Sequence, residues 1–312
     1  MRILKPNPLK KGDTIGIITP ASAVKDEAKI NKSVEYLEKL GYRVEVGKNV
    51  GKRYYYLAGN DAERLEDLHT MFENKKIKAI FCLRGGYGTV RLLPQINYDL
   101  IKKNPKIFVG YSDITALQMA FLAKVNLVTF AGPMPAVDFY DSPSPYTEEI
   151  FWDLITTPYK KYEYKITNDI LKITEKSARG IIIGGNLIVF SSLLGTPYMP
   201  SLYKKILFLE EVEEKPYKID RIFSHLSLIK EFKRIKGLVF GQFEDCTDPD
   251  SDENLSLVEL ISQYFKEIDK PVMNNVNFGH IKNFITIPYG IRASVNSKTG
   301  TIKLLESALN ED

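Results

Sequence analysis

A hydroxyl or thiol nucleophile needs a base in reach and an acid to orient that base. The segment Gly110-Tyr111-Ser112-Asp113 offers the hydroxyl. It stands between an apolar run, Lys106 to Val109, and a helical pattern carried by Ile114, Leu117, Phe121 and Leu122. A side chain at such a strand-to-helix corner projects above the carboxyl ends of a parallel sheet, where open α/β folds bind ligands. The next backbone N–H then lies at a helix N-terminus and faces a developing oxyanion. Ser112 is therefore a candidate nucleophile, or else the N-cap of the helix that begins at Asp113. The corner is not the α/β-hydrolase elbow, because Ile114 stands where that motif has glycine.

A second loop, Arg84-Gly85-Gly86-Tyr87-Gly88, also follows a strand, and glycine lets a backbone approach a ligand closely. It lacks both the Gly-x-Gly-x-x-Gly fingerprint and the Lys-Ser/Thr of a phosphate loop. Its amides suit an oxyanion, with the Gly86 N–H opposite that of Asp113. Arg84 is placed either to hold a substrate carboxylate or to form a local ion pair.

The chain has three histidines. His69 follows Leu65 on the apolar face of a helical pattern, which predicts a structural role, and His225 lies inside another helical pattern. His280, after Gly279 in a loop beyond the run Pro271-Val272-Met273, is the best-placed base, although loop histidines are also ordinary surface residues. The orienting acid should close a strand, and Glu210 and Glu211 close Ile206 to Leu209. Alternation puts them on opposite faces, so one at most enters a cleft, and either could instead pair with Lys204 or Lys205. Cys82 reads as a buried strand residue and Cys246 lies among acids. Neither has the context of a nucleophile or a metal ligand. No zinc or calcium spacing occurs, and the acidic stretch Glu244 to Asp252 reads as a solvated loop, so no metal and no cofactor is expected.

These residues need elements to carry them. In the first half, β-branched runs (Thr14–Thr19, Tyr42–Val46, Lys78–Leu83, Lys106–Val109, Leu127–Phe130) alternate with helical patterns over 25–40, from Asn60 onward and over 113–124. That alternation predicts a parallel sheet covered on both faces. Pro133 to Pro158 reads as a connection. The second half is mixed: strands at 181–183, 206–209 and 238–240, helices over 186–194, 218–229 and 255–265, then short C-terminal strands. The expected organisation is an N-terminal Rossmann-like α/β domain (1–160), a linker (161–174) and a smaller C-terminal α/β domain (175–312). With 312 residues, 44% hydrophobic and 26% charged, the chain has ample material for two cores. Its 43 basic and 39 acidic residues give a net charge of +4 without a basic stripe, which argues against nucleic acid. No apolar run reaches the roughly 18 residues of a membrane span, and the N-terminus predicts no export signal, so a reducing cytoplasm is expected.

Taken in order, Lys11-Gly12-Asp13, Pro20-Ala21-Ser22, Tyr56-Leu57-Ala58-Gly59, Arg84 to Gly88, Gly110 to Leu117, Gly184-Gly185-Asn186-Leu187, Leu194 to Tyr198, Leu209 to Val212, Gly241-Gln242-Phe243, Phe278-Gly279-His280 and Ile287 to Gly290 resemble the LD-carboxypeptidase family of serine peptidases over nearly the whole chain. The resemblance implies that Ser112 is the nucleophile, His280 the base and Glu210 its partner. The oxyanion would lie on the Gly86 and Asp113 amides, with the site between the two domains. It further implies release of a C-terminal D-amino acid, such as the D-Ala of a murein tetrapeptide in cell-wall recycling, or detoxification of an antibiotic such as microcin C, by a homodimer. Gln118 departs from the family's pattern, where His or Asn is common, and lies on the helix apart from the triad. Two other readings remain: a relative that binds peptide without turnover, and a glutamine-amidotransferase-like hydrolase, which would need Cys where Ser112 stands.

Overall fold

The computed structural model describes residues 3–158, 162–166, 173–247 and 255–311. Five strands of the first half, β1 (Thr14–Ile18), β2 (Arg43–Val46), β3 (Ile77–Cys82), β4 (Ile107–Val109) and β5 (Thr129–Ala131), are parallel and lie in the order 2-1-3-4-5. The direction of winding reverses between β1 and β3, so a crevice opens beyond their carboxyl ends. The covering helices are α1 (Glu27–Lys39), α2 (Asp61–Glu73), α3 (Tyr98–Lys103) and α4 (Thr115–Val125). The Asn60 start holds as a capping box, in which Asn60 accepts from the Glu63 N–H and Glu63 accepts from the Asn60 N–H.

Helix α4 is apolar on nearly every side, from Ala116 to Leu122, and a helix without a polar face must be buried all round. It lies between the first sheet and a second one. Gln118 sits in it, fully buried, and donates to the carbonyls of Gly110 and Phe130. The departure from the family's pattern thus pins the exits of β4 and β5.

Pro133 to Pro158 is not a plain connection. It carries a π-helical turn, Pro135–Phe139, and a helix α5 (Pro145–Thr156). Ser144 caps α5 by accepting from the Thr147 N–H, and Pro145 occupies the first turn, where its missing N–H costs nothing. The density of Pro and Ser that reads as loop is in part the start signal of this helix.

The second half contributes β6 (Glu163–Lys165), β7 (Ser177–Asn186), β8 (Lys205–Val212), β9 (Gly237–Glu244), β10 (Val272–Met273), β11 (Ile287–Tyr289), β12 (Arg292–Asn296) and β13 (Thr301–Leu304), with helices α6 (Leu187–Ser192), α7 (Pro216–Leu228) and α8 (Leu257–Phe265). Seven of these strands form the second sheet, in the order 10-9-8-7-12-13-6, parallel from β10 to β7 and antiparallel beyond. The eighth, β11, returns to the first sheet and pairs antiparallel with β5. The stretch expected to link the halves, 161–174, is described only at 162–166 and 173–174, and the end of the acidic stretch, 248–252, also lies outside the described residues. No helix among the described residues is long and apolar enough to cross a membrane.

Candidate active site

The corner that carries Ser112 is set by backbone. Gly110 leaves β4 with its N–H on the Phe130 carbonyl, and Ser112 adopts φ +64°, a left-handed conformation that costs a non-glycine residue. A 3-10 turn, Ser112–Ile114, then leads into α4, and no side chain caps either element. Ser112 is therefore not the N-cap that its position alone allows.

The glycine loop passes directly beneath. A Cβ on Gly85 would lie 2.7 Å from the Ser112 Cβ and 2.9 Å from its Oγ, so a side chain there collides with the hydroxyl. Gly86 has φ +118°, and a Cβ on it would strike Ser22 from the end of β1. Ser22 Oγ in turn accepts from the Tyr87 N–H at 3.1 Å. Neither the Gly86 nor the Asp113 amide serves a turn, cap or loop hydrogen bond among the described residues. The two loops are strapped together: the buried Asp113 carboxylate accepts from the Thr89 N–H at 2.9 Å, and Thr89 Oγ1 donates to the Asp113 carbonyl at 2.6 Å. Burial pushes the Asp113 carboxyl up, against the pull of Thr89. Arg84 forms no ion pair among the described residues; its Nε donates to the Gly85 carbonyl and one terminal nitrogen to that of Ala23, each at 3.2 Å.

Glu210 comes from the second sheet and His280 from the loop after β10. Glu210, 3% exposed, stands in β8 where its pairing with β9 slips between Leu209 and Glu211. Its Oε2 accepts from His280 Nδ1 at 2.7 Å. Gly279 permits this approach, since at φ +114° its missing Cβ would sit 2.9 Å from that same oxygen. Burial pushes the His280 ring down, but the charge and hydrogen bond of Glu210, with Glu211 and Asp138 behind, outweigh it and hold the pKa above its ordinary value. The other Glu210 oxygen is buried without a partner among the described residues, so compensation of this charge rests on His280. The Tyr111 ring meets the imidazole edge-on at 5.0 Å, which brings the residue before Ser112 against His280.

Glu211 faces the opposite way, as alternation requires. It accepts from Asn186 Nδ2 at 2.6 Å and from the N–H groups of Ile188 and Val212, each at 2.9 Å, and burial pushes its carboxyl up to about 7. Neither acid pairs with Lys204 or Lys205. The seam between the halves lies at the same height: the Asn186 N–H donates to Thr115 Oγ1, and a Cβ on Gly185 would collide with the Thr115 side chain. The first residue of α4 is thereby locked to the end of β7.

His69 accepts from the Asn97 N–H at 3.0 Å and is structural, and His225 lines a separate cavity with Leu194 and Leu202. Cys82 is fully buried with its thiol pushed well up, and burial raises Cys246 to about 11. Among the described residues no group of three or more His, Cys, Asp or Glu is placed to hold a metal ion. Sequence reasoning did not single out Tyr111 or Asp138. Only the tertiary placement of Tyr111 against His280, and of Asp138 on the Tyr111 hydroxyl, distinguishes them.

Models of the LD-carboxypeptidase N-terminal and C-terminal domains match residues 15–132 and 179–295. The chain belongs to the LD-carboxypeptidase family. Relatives of this family are named as carboxypeptidases, and this chain is an enzyme of that kind. It is 37% identical over 311 residues to a probable murein peptide carboxypeptidase of Bacillus subtilis, covering 98% of this chain and 96% of that one. Its fold superposes on muramoyltetrapeptide carboxypeptidase from Oxalobacter formigenes with TM-score 0.83 and 33% identity, covering 93% and 97% of the two chains. It superposes on the microcin C7 self-immunity protein MccF in complex with aspartyl sulfamoyl adenosine with TM-score 0.90 and 28% identity, covering 98% and 100%. The two-domain α/β architecture expected from the sequence is the one these proteins share.

Proposed function

We propose that this enzyme is a serine LD-carboxypeptidase that releases the C-terminal D-Ala of a murein tetrapeptide through Ser112, His280 and Glu210. The observation that carries the reading is the buried 2.7 Å bond from Glu210 to His280 Nδ1, which leaves the other ring nitrogen free to serve the serine corner. Ser112 Oγ attacks the carbonyl before the terminal residue and gives its proton to His280. The tetrahedral oxyanion settles on the Gly86 and Asp113 amides. As the C–N bond breaks, His280 returns the proton to the departing nitrogen, and water then hydrolyses the acyl-enzyme by the same route. Glu210 holds the ring in the tautomer with its proton on Nδ1 and stabilises the imidazolium.

In this reading residues 1–160 carry the nucleophile and 175–312 the acid–base pair, joined through 161–174. Their relative position therefore sets activity. A homodimer in the cytoplasm, acting on recycled murein peptide, completes it. The likeness to MccF bound to aspartyl sulfamoyl adenosine supports a second substrate class, peptide–nucleotide antibiotics. The test is to incubate wild type and Ser112→Ala with a tetrapeptide ending in D-Ala, its all-L counterpart and a microcin C-type conjugate. Release of D-Ala by wild type alone, with the L-ended peptide intact, is expected. Cleavage of the conjugate alone would transfer the reading to detoxification, and equal release by both proteins would remove Ser112 from the chemistry.

A further inference from the structure

A cavity of about 540 Å³ opens beside the imidazole, and the chemistry above does not use it. Its lining includes Tyr111, Asp138, Ser144, Thr147, His280 and Lys282. Asp138 comes from the turn Pro135–Phe139, and its carboxylate accepts from the Met134 N–H at 2.7 Å and from the Tyr111 hydroxyl at 3.4 Å. Burial pushes that carboxyl up to about 7; the two hydrogen bonds and the nearby His280 pull against it. Lys282 comes from the loop just after His280, and that loop is fastened to the start of α5. Thr147 Oγ1 donates to the Lys282 carbonyl and accepts from the Phe284 N–H, each at 3.0 Å, and Ser144 Oγ donates to Asn283 Oδ1 at 2.6 Å. The Lys282 ammonium makes no ion pair among the described residues.

A held carboxylate and an uncommitted cation on one cavity, next to the group that protonates a leaving nitrogen, match a ligand carrying both an ammonium and a carboxylate. Resting on the reading of Ser112 and His280 as hydrolytic, we propose that this cavity is the subsite of the departing amino acid, with Lys282 holding its terminal carboxylate and Asp138 receiving its amine. As the C–N bond breaks, its electron pair stays on nitrogen and takes the His280 proton. The neutral amine gains a second proton from water, and the ammonium so formed faces Asp138. Arg84 donates to the carbonyls of Gly85 and Ala23 and does not line this cavity.

The test compares wild type, Lys282→Met, Lys282→Arg and Asp138→Asn on a peptide ending in D-Ala and on the same peptide ending in D-alaninamide, with calorimetric titration of free D-alanine into each protein. Loss of one charge-assisted contact predicts a KM for the free acid raised roughly 10- to 100-fold in Lys282→Met, restored in large part by Lys282→Arg, with the amide's KM within about twofold of wild type. Asp138→Asn should weaken D-alanine binding while it leaves the preference for acid over amide intact. Equal effects of Lys282→Met on acid and amide, or none on either, overturn the proposal. If wild type cleaves neither peptide, the hydrolase reading fails, and the subsite is judged by the titration alone: D-alanine binding that Lys282→Met abolishes upholds it, and no binding to wild type overturns it.

Discussion

The two sheets present their carboxyl ends to one another, yet they build their halves of the site by different means. At the first sheet the parts are backbone: Ser112 in a left-handed conformation, the glycines of the loop after β3 and two amides that serve no turn, cap or loop bond among the described residues, braced by Thr89 and Asp113. At the second the parts are titratable side chains, Glu210 and His280, taken out of water and paired through one hydrogen bond. The first half depends on steric room, the second on charge. Substitutions should therefore fail in different ways on the two sides, which makes the comparison open to experiment.

The largest effect is expected at Ser112. Ser112→Ala should lower kcat by roughly 10,000-fold or more, with the melting temperature little changed, because the hydroxyl holds nothing else in place. Residual turnover near wild type, measured by D-Ala release, would break the assignment of the nucleophile to the backbone-built side.

Glu210→Gln should cost roughly 100- to 10,000-fold in kcat and also shift the pH profile. In the proposed role of base, His280 acts only when neutral. Its pKa is held above the ordinary value of about 6.5, so wild-type kcat/KM should still be rising with pH above that point. Removing the Glu210 charge leaves burial opposed only by the more distant charges of Glu211 and Asp138, and the acid limb should move to lower pH. A limb that stays put would mean that Glu210 does not set the base. The stability counterpart is His280→Ala, which strands a buried carboxylate and should cost about 3 kcal/mol in denaturant unfolding, unlike Ser112→Ala.

Gly85→Ala sharpens the steric side. Its new Cβ displaces the Ser112 hydroxyl, so kcat should fall roughly 100-fold with the pH profile unchanged in shape. The smallest effect is expected from Cys246→Ser, where kcat/KM should stay within about twofold of wild type and iodoacetamide should leave activity intact, since neither thiol ionises near neutrality.

Much of this was legible from residue order. The strand and helix alternation of the first half, the caps at Asn60 and the corner at Ser112 follow local rules, because φ/ψ preference and hydrophobic period act over a few residues. Helix α5 was hidden for the same reason turned round: Ser144 and Pro145 serve loops and helix starts alike, and only packing of Phe151 and Leu154 into the core decides between them. Strand β11 falls among the short C-terminal strands that the sequence predicts without placing, and its membership of the first sheet was not legible, since pairing between Ile287 and Ala131 joins residues far apart in the chain.

The sequence by itself determined the chemistry available: one serine at a strand-to-helix corner, glycines where backbone must come close, and a glycine before the one loop histidine. Tertiary structure alone decided which groups meet. Glu210 and Glu211 are chemically equivalent neighbours, and alternation says only that they part. It is the packing of the Gly279 loop on β8 that gives Glu210 to His280 and turns Glu211 to Asn186 and the start of α6. The raised pKa of His280 arises in the same way, because burial and a facing charge are properties of the assembled molecule and not of any residue in it.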